Sequence, residues 1–149
     1  MILETLSFSV NESTEKDIRT HLLCCDLQFS PLLSDRVDIG EYSRKIREKA
    51  FTFEAWGYNA LVGLVAAYMN IPDRHCFITN VSVLSNFTGK GIAARLMNAC
   101  LEHAGAANIA TISLEVSRSS HPAIYLYRKF GFQVIENRGD LLLMQYQQR

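Results

Sequence analysis

The stretch that decides the reading is Val81 to Leu96, VSVLSNFTGKGIAARL. Val81 and Val83 end a strand that begins at His75. The chain then crosses Leu84-Ser85-Asn86-Phe87 into Thr88-Gly89-Lys90-Gly91-Ile92-Ala93-Ala94 and enters a helix. In that helix Ile92, Leu96, Met97, Cys100, Leu101 and Ala104 fall on one apolar face, and Gly105 is expected to end it as a left-handed residue. Glycines at a helix start let backbone N–H groups come close to an anion, and the helix dipole adds about half a positive charge there. A phosphate or diphosphate is the natural guest, although a tight strand-to-helix turn without a ligand would use the same residues.

Two nucleotide patterns can be compared with this loop. A Walker A loop requires Gly-Lys followed by Ser or Thr for magnesium, and Lys90 is followed by Gly91, so that pattern fails. Gly89-x-Gly91-x-x-Ala94 does match the loose dinucleotide fingerprint, with Glu115 near the distance of a ribose-binding acid. An NAD-binding protein is therefore a rival reading. Against it, five residues from Leu84 to Thr88 separate strand and glycines, and three strands precede the unit.

Outward from the loop, Phe51–Trp56, Ala60–Met69 and His75–Leu84 are rich in aromatic and β-branched residues. They are separated by Gly57-Tyr58-Asn59 and Pro72-Asp73, which predicts three sequential antiparallel strands. Before them, Ile2–Val10 reads as a strand. A helix with caps in Asn11–Glu15 runs to about Phe29, Pro31–Val37 is irregular, and Asp38 caps a helix over Ile39 to about Ala50. After the loop helix, Ala110 to Val116 alternates as a strand. Pro122 opens a helix through about Lys129, and Phe132–Glu136 with Leu141–Tyr146 closes the chain as a hairpin. The order β-α-α-β-β-β-α-β-α-β-β, with one strand-helix-strand unit from His75 to Val116, predicts an α/β fold with a mixed sheet of about seven strands and about four helices.

At 149 residues the chain suits one domain spanning 1–149, which at this size buries about 68–70% of its unfolded surface without disulfides. Fifteen basic and fifteen acidic residues leave no field to attract a polyanion, so nucleic-acid binding is not expected. The start of the chain lacks a signal-peptide pattern. The longest apolar run, Ala60–Met69, is far shorter than the roughly 20 residues of a membrane span, so a cytoplasmic protein without a membrane partner is expected. Cys24, Cys25, Cys76 and Cys100 have neither zinc-site nor disulfide-framework spacing, and no metal is expected.

The loop resembles motif A of the GNAT superfamily of acetyl-CoA-dependent N-acetyltransferases, Arg/Gln-x-x-Gly-x-Gly/Ala between a strand and a helix. Thr88-Gly89-Lys90-Gly91-Ile92-Ala93 fits it in register, with Thr88 where the family usually has Arg or Gln. Leu114-Glu115-Val116 followed by Ala123-Ile124-Tyr125-Leu126-Tyr127-Arg128-Lys129-Phe130-Gly131-Phe132 looks like motif B of the same family, with Ser120 where an Asn is common. The resemblance covers Phe51 to Phe132 closely and the N-terminal part in outline.

What it implies is a fold in which the strands before and after the loop helix splay apart and admit the pantetheine arm of acetyl-CoA. Val81, Val83 and Leu84 would offer that arm a strand edge. Thr88, Gly89, Lys90, Gly91, Ile92, Ala93 and Ala94 would cradle the diphosphate, and Ser120 would stand near the cofactor. Lys90, Arg95, Arg128 or Lys129 could reach phosphate oxygens. A primary amine of a small molecule or peptide would attack the thioester directly, with an oxyanion forming against a backbone N–H near Val83. Tyr127 stands at the family's tyrosine position, where it would protonate the leaving thiolate.

The base is less well marked. Many members place an acid where this chain has Phe77; His75, on the same strand face, and Glu54, on the preceding strand, are the candidates, the plain alternative for each being an ordinary surface residue. His21, His103 and His121 have no supporting constellation. The loop Phe29–Arg36 would face the acceptor, with Asp35 or Asp38 able to attract a cationic amine. The departures at Thr88, Ser120 and Phe77 leave a catalytically silent acyl-CoA-binding or sensor domain as the alternative. Exposed strand edges would admit a homodimer.

Overall fold

In the computed structural model, residues 5–148 are described. β1 (Leu6–Val10) leads to α1 (Glu15–Cys25), which carries a capping box: Thr14 Oγ1 accepts from Asp17 N–H, and the Asp17 carboxylate accepts from Thr14 N–H. The part of the expected first strand at residues 2–4 lies outside the described residues. α1 ends earlier than expected, giving way to a 3₁₀ turn at Asp26–Gln28. The stretch expected to be irregular holds a four-residue helix, α2 (Leu33–Arg36), which makes five α-helices among the described residues. Asp38 caps α3 (Ile39–Lys49) by accepting from Glu41 N–H at 3.0 Å.

β2 (Phe51–Gly57), β3 (Ala60–Asn70) and β4 (His75–Val83) follow as an antiparallel meander. α4 (Ile92–Ala106) joins β4 to β5 (Thr111–Ser117), which lies parallel to β4. The left-handed residue at the end of α4 is Asn108, at φ 62°; Gly105 stays helical, because the apolar face that holds α4 on the sheet continues one turn past Cys100 to Ala104. α5 (His121–Phe130), β6 (Gln133–Arg138) and β7 (Leu141–Gln147) complete one seven-stranded sheet in the order β1-β2-β3-β4-β5-β7-β6. Among the described residues no helix is long and apolar enough to cross a membrane.

The sheet is covered on both faces. Ile18 and Leu22 of α1 with Ile39 and Ile46 of α3 pack on Leu64 and Ala66 of β3. Ile92, Leu96, Met97 and Cys100 of α4 pack on the other face with Val62, Val65, Ile78 and Leu114, and Tyr127 of α5 joins the same cluster. α4 lies so close to β3 that a Cβ on Gly63 would stand 2.6 Å from Ile92 Cγ2.

One irregularity positions everything that follows. Ala66 of β3 faces Asn80 while its neighbour Ala67 faces Ile78, so Thr79 has no partner and bulges. Tyr42 of α3 holds this point, its hydroxyl donating to the Thr79 carbonyl at 2.7 Å. The parallel pairing of β4 with β5 stops at Ile78↔Leu114, one residue before the bulge, although β4 continues to Val83 and β5 to Ser117. A bulge bends its strand and raises the local twist, and here the two parallel strands separate.

Candidate active site

The separated strand ends frame a cavity of about 540 Å³ that reaches both faces of the sheet. Ala93 of α4 and Leu126 and Tyr127 of α5 line it on one face. On the other face it is lined by Phe29, Leu33 and Arg36 and by Asn80 and Ser82, which share a side of the sheet with Ala66 and Leu64. Leu84 N–H bonds to Val62 O at 2.9 Å. By the alternation of an antiparallel ladder, Val83 and Val81 then turn their backbone groups away from β3, into the gap where β5 no longer pairs with them. The Val83 carbonyl accepts from the Gln28 side-chain amide at 3.0 Å, and the other groups form an edge for an extended chain carrying amide groups.

At the end of β4 the chain makes a 3₁₀ turn, Ser85–Phe87, and reaches α4 through Gly89 at φ 78° and Gly91 at φ 76°. Both need glycine for their backbone angle alone, since a Cβ at either would meet nothing within 4 Å. The first intrahelical bond runs from Arg95 N–H to Gly91 O at 3.0 Å, and Gly91 caps α4 without a side-chain hydrogen bond. The N–H groups of Ile92, Ala93 and Ala94 therefore precede the intrahelical ladder, the arrangement that receives a diphosphate.

Of the residues expected at the cofactor, Val81, Val83, Thr88, Ala93 and Ser120 line the cavity. Gly89, Lys90, Gly91, Ile92 and Ala94 form the turn and first helical residues beside it, and Leu84 packs on the core. The Thr88 hydroxyl donates to Ser85 O at 2.8 Å, bracing the turn, where Arg or Gln would extend toward a guest. Ser120 caps α5 without a side-chain hydrogen bond. Arg95 lies over the Phe8 ring at 3.6 Å and Lys129 over Tyr125 at 5.4 Å, so neither is poised over the turn.

Tyr127 is 6% exposed and lines the cavity, and its hydroxyl bonds to no protein group among the described residues. Burial pushes it well above the ordinary tyrosine range, so it keeps its proton at neutral pH and can donate. His75 stands at the far end of β4 from the gap, its Nδ1 2.8 Å from Thr111 Oγ1, and is not among the cavity-lining residues. Glu54 is neither a surface group nor near the cavity. It is fully buried and accepts from Ser9, Ser13 and Thr52 hydroxyls and from the Glu12 and Ser13 N–H groups. Burial alone would push its carboxyl up, but hydrogen bonds led by Ser13 outweigh that and hold it below the usual glutamate range. Asp38 is a helix cap and Asp35 lies outside the cavity wall; Arg36 is the loop's charged contribution to that wall.

Sequence reasoning missed His21. It is 2% exposed, with Nδ1 2.9 Å from Leu61 O and Nε2 2.8 Å from Ser82 Oγ, which in turn lies 2.7 Å from Asn80 Oδ1. The signal was present in the sequence: His21 interrupts the apolar stripe Ile18, Leu22, Cys25 of α1.

Comparison with known proteins places the chain in a family. Residues 16–132 match the acetyltransferase (GNAT) family, and the chain belongs to it. It is 32% identical over 120 residues to human N-acetylaspartate synthetase, covering 80% of this chain and 37% of that protein. It is 36% identical over 92 residues to a putative [ribosomal protein bS18]-alanine N-acetyltransferase of Bacillus subtilis, covering 56% and 60% of the two. The chain thus spans about a third of the first of these relatives and 60% of the second. The structure of Arabidopsis thaliana Naa50 in complex with the bisubstrate analogue CoA-Ac-MVNAL superposes with a TM-score of 0.74 at 20% identity, over 94% of this chain and 98% of that one.

Proposed function

We propose that the protein transfers an acetyl group from acetyl-CoA to a primary amine of a small molecule or peptide, by direct attack of the amine on the thioester. The observation that carries this is the coincidence of two features at one cavity: β4 and β5 part at Ile78↔Leu114, and the α4 start with its unladdered N–H groups stands at the end of the same β4. The pantetheine amides would bond to the Val81 and Val83 backbone and the diphosphate would rest on the N–H groups at the α4 start. The thioester would then sit in the gap. The amine, entering past Phe29 and Arg36, attacks the carbonyl; negative charge on its oxygen meets a backbone N–H near Val83. The C–S bond breaks as Tyr127 donates to the departing sulfur, and the proton that the attacking nitrogen sheds on becoming the amide restores the tyrosine hydroxyl. Both reactants are held before reaction, so the gain comes from proximity and a prearranged oxyanion donor, with no covalent enzyme intermediate.

Arg36, the cation on the acceptor side of the cavity, favours an amine that also carries a carboxylate, as a free amino acid does. The name of the human relative, N-acetylaspartate synthetase, supports the same class. The test is acetyl-CoA turnover, read as thiol release, with amino acids, N-terminal peptides and polyamines, in the wild type and in Tyr127→Phe. The variant should lose about 100-fold or more in kcat while binding acetyl-CoA within twofold of wild type. Acetyl-CoA binding without transfer to any amine would make the protein a silent acyl-CoA binder, and a thermal shift with NAD but none with acetyl-CoA would overturn the reading.

A further inference from the structure

The buried chain His21–Ser82–Asn80 contains one hydroxyl proton and two acceptors for it. His21 Nδ1 faces the Leu61 carbonyl at 2.9 Å, and a carbonyl only accepts, so Nδ1 carries the ring proton. Burial lowers the His21 pKa to about 4, so the ring is neutral and Nε2 is a bare acceptor. Ser82 Oγ stands 2.8 Å from that nitrogen and 2.7 Å from Asn80 Oδ1, and its single proton can satisfy only one of them at a time. Cys25 Sγ, at 3.7 Å from Nε2, is a weaker and more distant donor than the serine hydroxyl. When Ser82 gives its proton to His21, the Asn80 carbonyl oxygen is left wanting a donor. Asn80 and Ser82 are 5% and 6% exposed, and both line the cavity on its Phe29–Arg36 side, opposite Tyr127.

We infer that this donor deficit is the docking point of the acceptor: the amine N–H donates to Asn80 Oδ1, while His21 is the positioning residue that draws the Ser82 proton away and keeps that oxygen open. The inference rests on the acetyl-transfer reading and names the part of the cavity that holds the amine. A neutral chain of this kind selects a group that donates without demanding a counter-ion, and it leaves the amine lone pair free to point at the thioester across the gap. A purely structural network would satisfy the core without any effect on substrate affinity.

The experiment compares wild type, Asn80→Ala, Ser82→Ala and His21→Gln by steady-state kinetics, varying amine and acetyl-CoA separately, with an unfolding midpoint for each variant. Losing one hydrogen bond to the amine should raise its KM about three- to tenfold in Asn80→Ala. Ser82→Ala removes the competing hydroxyl and leaves Asn80 Oδ1 open, so its amine KM should stay within twofold of wild type or fall. His21→Gln, whose side-chain oxygen can still accept from Ser82, should also stay within twofold, and in each variant the KM for acetyl-CoA should be unchanged within the same margin. Should His21→Gln fail to fold, the two β4 variants still decide the matter. Wild-type turnover with an unchanged amine KM in Asn80→Ala, or an amine KM raised as far in Ser82→Ala as in Asn80→Ala, overturns the inference and leaves the proposed reaction standing. A wild type that acetylates no amine overturns both.

Discussion

Replacing Glu54 by Gln should test whether one buried carboxylate ties the N-terminal segment to the sheet. In the wild type Oε1 accepts from the Ser9 hydroxyl at 2.7 Å and Glu12 N–H at 3.0 Å, and Oε2 from Ser13 N–H at 2.8 Å, Thr52 Oγ1 at 2.7 Å and the Ser13 hydroxyl. The least costly glutamine places its NH₂ at the Oε1 position. Ser9 can rotate to accept, as it already does from Trp56 Nε1, but Glu12 N–H loses its acceptor. One orphaned amide costs about 1–3 kcal/mol, and the remaining bonds lose their charge assistance at about 0.5 kcal/mol or more each, for a total of about 3–5 kcal/mol. At about 2–4 °C per kcal/mol for a chain of this size, the unfolding midpoint should fall by roughly 6–20 °C at pH 7.

The pH dependence has a definite sign. The folded carboxyl titrates below its unfolded value of about 4.3, so its contribution is complete above that pH and is lost as pH falls through the lowered folded value. Urea titrations at pH 7, 5, 4 and 3 should show wild type and variant far apart at neutrality and converging below pH 4. A variant within about 0.5 kcal/mol of wild type at pH 7 would refute the reasoning, because exchanging one oxygen of a fully buried, five-bonded carboxylate cannot be neutral if those bonds exist.

The remaining expectations concern packing and thiols. Gly63→Ala pushes a methyl to 2.6 Å from Ile92 Cγ2, and because Ile92 is buried at the start of α4, overpacking should cost about 1–3 kcal/mol and weaken acetyl-CoA binding together with stability; unchanged affinity in a destabilised variant would separate the α4 start from the cofactor. Of the four thiols, only Cys24 is exposed, while burial pushes Cys25 up to about 12 and a hydrogen bond with Cys76, together with burial, pushes Cys100 far above the ordinary thiol range, so a disulfide reagent should titrate one fast thiol in the native protein and four after unfolding. Cys24→Ser should abolish the fast phase.

Much of the fold could be read in advance because its signals are local. The glycine-led turn, the alternation of Ala110 to Val116 and the apolar face of α4 each fall within a short stretch of chain, and these elements formed within a few residues of their expected bounds. What could not be read depended on pairings at long range. Glu54 looks like any strand carboxylate until Ser9 and Ser13, over 40 residues away, close on it. The bulge at Thr79 depends on the register against Ala66 and Ala67, which no property of β4 alone reveals. His21 finds its partners Leu61 and Ser82 at separations of 40 and 61 residues, so the lone polar residue on the α1 stripe was visible and its purpose was not. At the end of α4, the length of the apolar face decided against the first glycine in sight.

The two halves of the cavity are made of different material. On the side proposed for the coenzyme, the turn offers main-chain groups set by two glycine backbone angles, and an added Cβ at either glycine would touch nothing. On the acceptor side the wall is built of side chains, from Phe29 and Arg36 to Asn80 and Ser82. On the proposed reading, selection can rewrite one wall residue by residue while the other stays fixed, and a directed-evolution library aimed at new acceptors should randomise the Phe29–Arg36 loop and leave Gly89 and Gly91 untouched.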